Sequence, residues 1–209
     1  MDDGRPDSDS NIETVTENMS DSTDDPMTGH NGRWEAVIDD MSATATEYRD
    51  AGWEALELHP GDIFPIPPVD GADQTGLSSS DGVNNTSTKG SIAQDSSKSH
   101  SRVGLDVIIP DNEFTQLIEI ASARTFDECE AFRAEVGSIL FVIAGIKAST
   151  TDVVVFVPLY YRANDAQRMA QRAVARGEIK LFVRPLSDDR QVVFSQSTPE
   201  LLLPSEFAR

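Results

Sequence analysis

Three arginines, Arg168, Arg172 and Arg176, recur every four residues in the stretch "NDAQRMAQRAVARG". On a helix this spacing stacks their guanidinium groups along one face and leaves Met169 and Ala173 on another. A guanidinium fork recognises carboxylates and phosphates through paired N–H donors. Residues 162–184 carry Arg162, Arg168, Arg172, Arg176, Lys180 and Arg184 against Asp165 and Glu178, a local charge of +4 in an acidic chain. Such a stripe either docks an acidic partner or phosphate-bearing ligand, or pairs with acids of the chain itself, for instance on the helix around Trp34. A second constellation is Glu178-Ile179-Lys180, 26 residues after Asp152. Metal-dependent nucleases combine an upstream acid with an acid-x-Lys strand, whose carboxylates hold Mg²⁺ while the lysine stabilises developing charge. Here a helix separates the two parts, and such triplets are common by chance, so an exposed strand face explains this one more simply.

The remaining reactive side chains are few. Histidine occurs at His30, His59 and His100. His59 stands in "HPGD", a turn also found in cupins, but a cupin metal site needs several converging ligands and Pro60-Gly61 alone accounts for a turn. Cys129 is the only cysteine, which excludes an internal disulfide and a cysteine-rich zinc site; it reads as a buried, inert thiol. No G-x-S-x-G elbow, G-x-G-x-x-G loop or P-loop is present. The residues call for no cofactor and no metal, and none is singled out as catalytic.

The elements that must carry these groups are organised around Ser138–Tyr161, "SILFVIAGIKASTTDVVVFVPLYY". Two apolar runs, Ile139–Ile146 and Val153–Tyr161, flank a polar loop holding Lys147 and Asp152. A membrane span needs about 20 consecutive apolar residues. Each run is too short, and a lysine or aspartate at mid-bilayer costs roughly 2.5–3.5 kcal/mol. Val, Ile, Phe and Tyr dominate, which is strand composition, and neither run alternates, so both faces require cover. The stretch is expected to be an antiparallel hairpin in the middle of a sheet, with Pro158 at a strand end or edge position.

Around it the periodicities place a helix at Trp34, Val37, Ile38, Met41, Ala45 and Tyr48, stopped at Gly52. A short strand around Leu56 follows, then a strand in "VGLDVIIP" expected to be its partner. Next come a helix capped by Asp111 with Phe114, Leu117, Ile118 and Ala121 buried, and Phe126–Val136, whose imperfect alternation fits a helix less well than a strand turning at Gly137. After the hairpin, a helix capped by Asn164 buries Ala166, Met169, Ala170, Ala173 and Val174 and ends at Gly177. Strands Ile179–Leu186 and Arg190–Ser195 and a turn at Thr198-Pro199-Glu200 complete the order. The fold class is α+β, a mainly antiparallel sheet with a central hairpin at about 138–161 and helices packed on it.

Two segments stand apart. Residues 1–32 carry nine acids and one base with scattered apolar residues and are expected to be a disordered acidic tail. Residues 69–102, with nine serines, read as a disordered insertion in a single domain spanning 33–209; the sequons at Asn84 and Asn85 fall inside it. The whole chain holds 22 Asp and 14 Glu against 13 Arg and 4 Lys, for a net charge of −19. Abundant Asp with scarce Lys suits a cytoplasmic protein adapted to molar salt, where counterions screen self-repulsion. The sign of the charge disfavours nonspecific nucleic-acid binding. Met1–Asp25 has neither the basic start nor the apolar core of a signal peptide, in line with a cytoplasmic location.

The succession "YRDAGWEALELHPGD", "GLDVIIPDNEF", "FRAEVG", "VVVFVPLYY" and "LFVRPLS" resembles a family of small acidic proteins from halophilic archaea known only as a domain of unknown function. The resemblance spans about residues 47–68 and 104–204 and implies no activity or catalytic residue. The expected element order from Asp111 onward also looks like the type III secretion chaperone-like topology. The function read from the sequence is a non-catalytic interaction or regulatory module that meets an unknown protein partner, or a second copy of itself, through the arginine-lined helix. The alternative is a metal-dependent nuclease-like enzyme using Asp152, Glu178 and Lys180.

Overall fold

A computed structural model describes residues 31–66, 91–92 and 102–207. Most of the acidic tail and of the 69–102 insertion, with His30, His100, Asn84 and Asn85, lies outside the described residues. In chain order the elements are α1 (Asn31–Asp50), β1 (Glu54–Glu57), β2 (Asp62–Ile66), β3 (Ser91–Ile92), β4 (Gly104–Ile108) and α2 (Asp111–Ala123). Then follow β5 (Glu128–Val136), β6 (Ile139–Ala148), β7 (Val153–Arg162), α3 (Ala163–Arg176), β8 (Ile179–Arg184) and β9 (Val192–Gln196). Short 3-10 turns occupy Ser149–Thr151, Pro199–Leu202 and Ser205–Phe207.

The expected hairpin is the pair β6–β7, in continuous antiparallel register from Ile139↔Arg162 to Ala148↔Val153. Asp152 closes its loop at φ 52, a left-handed conformation that aspartate tolerates better than most residues. The described strands form two sheets rather than one. The first has the order β1-β7-β6-β5, with the hairpin in its middle; the second runs β2-β4-β8-β9-β3. Pairing is antiparallel except for β1 with β7 and β4 with β8. Both hairpin strands are buried at almost every position because each face has cover. On one face Met41 and Ala45 of α1 pack with Ile143, Val154 and Phe156. There Trp34 meets Tyr160 edge-on at 5.0 Å and Tyr48 meets Phe156 at 5.5 Å. The other face shares a core with Leu105, Val107, Leu181 and Val183 of the second sheet, Phe114 and Leu117 of α2, and Met169 of α3. Burying each such side chain contributes roughly 1.5–3 kcal/mol.

Pro158 lies inside β7, yet its position is an edge in the relevant sense. Asp152 and Phe156 turn their carbonyls toward β1, accepting from Glu54 and Leu58. Even-numbered residues of β7 therefore face that side, and β1 ends at Glu57, before Pro158 would owe it an N–H. Residues Glu128–Val136 form the strand expected there, and Gly137, at φ 62, opens a two-residue turn into β6.

Other expectations are corrected. The strands around Leu56 and Val107 are not partners: β1 joins β7, whereas β4 pairs with β2 and β8. Two elements were missed: β3, inside the stretch expected to be a disordered insertion, pairs with β9, and β2 is disguised by Pro65, which is tolerated because β2 is an edge strand. Asp111 and Asn164 are not caps. Each lies inside the first turn, the cap positions being Pro110 and Arg162, with no side-chain cap bond. Val174 leaves the buried face of α3 and is 40% exposed. The element order from Asp111 holds, but its strands are divided between the two sheets and its last helix is a 3-10 turn.

Candidate functional site

The sequence of α3 separates its two faces. Ala166, Met169, Ala170 and Ala173 are buried, and the helix packs against β2, β4, β7 and the turns after β9. Small alanines let its backbone sit close to these neighbours. Gly177, at φ 64, stops the helix and donates its N–H to the carbonyls of Ala173 and Val174. Arg168, Arg172 and Arg176 all fall on the exposed face, two successive steps of four residues apart. Arg176 in the last turn also offsets the negative end of the helix dipole. Arg168 and Arg176 already have interaction partners, as does Arg162 at the end of β7.

The two cations on β8 are tied into the second sheet. Arg184 grips Asp106 on β4 through Nε at 2.9 and 3.0 Å and a terminal nitrogen at 2.8 Å. Lys180 Nζ lies 3.5 Å from Glu178 Oε2. The local charge of +4 therefore resolves into an arginine face on α3 and a paired set on the sheet.

The nuclease-like trio is only partly assembled. Glu178 accepts from the Ser195 hydroxyl and pairs with Lys180 in the second sheet. Asp152 sits at the tip of the hairpin in the first sheet, where its carbonyl accepts from the Glu54 N–H. Among the described residues no three His, Cys, Asp or Glu side chains form a group that could hold a metal ion.

Residues 20–88 and 80–204 match the model of a family described as a family of unknown function, DUF7529. The chain belongs to that family. No curated protein and no solved structure matches it. Among the described residues no helix is long and apolar enough to cross a membrane.

The other sequence candidates in this DUF7529 member are structural. His59 is exposed in the Pro60-Gly61 turn; its backbone N–H donates to Glu113 Oε2 at 2.7 Å, and its Nδ1 lies 3.0 Å from Oε1. That contact ties the turn to the first turn of α2. Cys129 is half-buried, and burial pushes its thiol up, away from the reactive thiolate. It lines a cleft of about 30 Å³ between the sheets with Phe126, Ile146, Leu181, Phe194 and Gln196. That is room for a water or two, not a substrate. Beside it Asp127 accepts the Ser149 N–H at 2.9 Å and the Ser149 hydroxyl, and these bonds hold its carboxyl below the usual range.

Sequence reasoning missed one polar cluster altogether. Tyr48 of α1 donates to Glu130 Oε1 at 2.5 Å, and Lys147 donates to Glu130 Oε2 at 2.9 Å. The Lys147 ammonium lies 5.2 Å from the Tyr48 ring centre. Burial, then the bond to Glu130, pushes the Tyr48 hydroxyl up. Burial works against the Lys147 charge, but bonds to Tyr48 and Glu130 outweigh it and raise its pKa. Every member satisfies another, so the cluster braces α1 against β5 and β6 rather than presenting a reactive group. Gly145 makes the room: a Cβ there would lie 3.1 Å from the Phe156 ring and 3.2 Å from Glu130 Cγ. Its only sequence trace is a glycine inside an otherwise bulky strand.

Proposed function

We propose that the chain is a single-domain, non-catalytic interaction or regulatory module of a halophilic archaeal cytoplasm. It docks an acidic protein partner through Arg168, Arg172 and Arg176. The observation that carries this reading is the exposed face of α3, where three guanidinium groups line up over a helix anchored in the core by its other face. Guanidinium forks on a fixed scaffold suit carboxylate recognition, because each planar fork can make two parallel hydrogen bonds to one carboxylate. Arg172 is the centre of the surface, flanked by two arginines with partners of their own. The excess of Asp and scarcity of Lys support the saline cytoplasmic setting.

The test is the charge reversal Arg168→Glu with Arg172→Glu in the full chain. Exposed ion pairs contribute only about 0–1 kcal/mol each, so the melting temperature should stay within a few degrees of wild type. Partner recovery from native cells in molar KCl should be lost. A variant that melts far earlier yet retains its partner would assign the stripe to internal pairing and end the docking reading.

A further inference from the structure

Among the described residues two sheets present four edges, and three of them are blunted. β1 has four residues, β3 has two, and β2 carries Pro65. The fourth, β5, runs nine residues without proline or lysine and pairs with β6 in unbroken register from Glu128↔Lys147 to Val136↔Ile139. Among the described residues no strand pairs with its outer edge. An edge that is long, regular and free of proline is a template for another strand, and its charges decide which strand fits.

The direction of its free backbone groups follows from the ladder. Ala163 donates to the Ser138 carbonyl, so even-numbered residues of β6 face β7 and odd-numbered ones face β5. Through the β5–β6 register, even-numbered residues of β5 face β6, leaving Cys129, Ala131, Arg133 and Glu135 to point N–H and C=O outward. The most exposed stretch of the strand is Phe132–Glu135, with Phe132 50% exposed.

We infer that β5 pairs antiparallel with β5 of a second copy of this chain, across a two-fold axis at Ala134. Charge selects the register. With Arg133 opposite Arg133 of the other copy, like charges collide. With Phe132 opposite Phe132, Arg133 and Glu135 face Ala131 and Cys129 and gain no opposite charge. With Ala134 on the axis, Arg133 stands opposite Glu135 twice, and Phe132 opposite Val136 twice on the other face. Opposite charges and apolar pairs directly across a ladder are both favourable. Both charged side chains are already held in place. Arg133 donates to the carbonyls of Glu200 and Leu203 at 2.7 and 2.6 Å, while Glu135 accepts the Ser205 N–H at 2.6 Å and its hydroxyl at 3.0 Å. Arg133 keeps further N–H donors for a partner's carboxylate. The two four-stranded sheets would then continue as one across the axis.

This surface is distinct from α3 and stands or falls independently of the arginine face. The test is sedimentation equilibrium of the full chain in molar KCl, with wild type expected at twice 22.8 kDa. Arg133→Glu would set a carboxylate opposite Glu135 of the other copy twice, and should halve the mass while leaving a cooperative thermal transition. Should that variant not fold, oxidative cross-linking decides. In a Cys129→Ala background, Ala134→Cys should form a covalent dimer, because cross-axis residues of a non-hydrogen-bonded pair lie within disulfide reach. Phe132→Cys should not. A wild-type mass of 22.8 kDa at every concentration, a dimer that survives Arg133→Glu, or cross-linking at Phe132 instead of Ala134 would overturn the proposal.

Discussion

Tyr161 shows what single side chains hold together. Its ring is fully buried between the hairpin and the last turns, and its hydroxyl donates to the Leu202 carbonyl. Burial pushes its ionisation well above the ordinary tyrosine range, so it stays a neutral donor at any working pH. Tyr161→Phe would leave the Leu202 carbonyl without its donor, at a cost of about 1–3 kcal/mol. Urea denaturation should show a lower midpoint with an unchanged slope; an unchanged midpoint would mean that Leu202 finds water instead. At this scale the sequence was legible only where chemistry is local. The four-residue arginine spacing and the Gly177 stop both rest on neighbours in the chain. The Tyr48–Glu130–Lys147 brace joins residues 82 and 17 positions apart, and no local period marks such a meeting.

Elements were legible in proportion to the strength of their periods. The hairpin, α1, α3, β4 and the β8–β9 pair all announce themselves by apolar runs or helical spacing, whereas β5 alternates only imperfectly. β2 does not, because a five-residue strand with a central proline resembles a turn, and its absence misdirected the pairing of β1 with β4. Caps shifted by one or two residues for a related reason: the chain enters α2 and α3 with no side-chain cap bond at all. Division into two sheets was invisible, since continuous burial demands cover on both faces without saying whether helix or sheet supplies it. One contact between elements depends on a single glycine. A Cβ on Gly104 would sit 1.9 Å from the Lys180 carbonyl oxygen, where β4 and β8 run parallel, and its φ of 154 is strained for any side chain. Gly104→Ala should therefore destabilise at or above the top of the usual ~1–3 kcal/mol for overpacking. Thermal melting would reveal it, and a melting temperature equal to wild type would show that β4 can shift without loss.

Across the molecule, charge and apolar burial are segregated. Residues 33–68 carry a net −6 and residues 103–209 a net −4. The acids of α1, Glu35, Asp39, Asp40, Glu47 and Asp50, are all exposed. Some neighbouring acids are paired, Glu57 with Arg49 at 2.7 Å and Glu54 with Arg124 at 2.6 Å. The self-repulsion is thus concentrated on the outer side of α1, while the β6–β7 hairpin beneath holds no charge but Lys147, Asp152 at its tip and the terminal Arg162. At about 1 M salt the screening length is near 3 Å, against about 10 Å at 0.1 M, so dilution should loosen α1 before anything else. Burial in the hairpin does not depend on that screening. Hydrogen-exchange mass spectrometry of the full chain across a KCl series reads this division between an apolar centre and a charged periphery most directly. On dilution from about 1 M to about 0.1 M KCl, exchange should rise first in residues 34–51 and last in residues 139–161. Exchange that rises in the hairpin as early as in α1 would contradict that division and show one cooperative unit responding to salt as a whole.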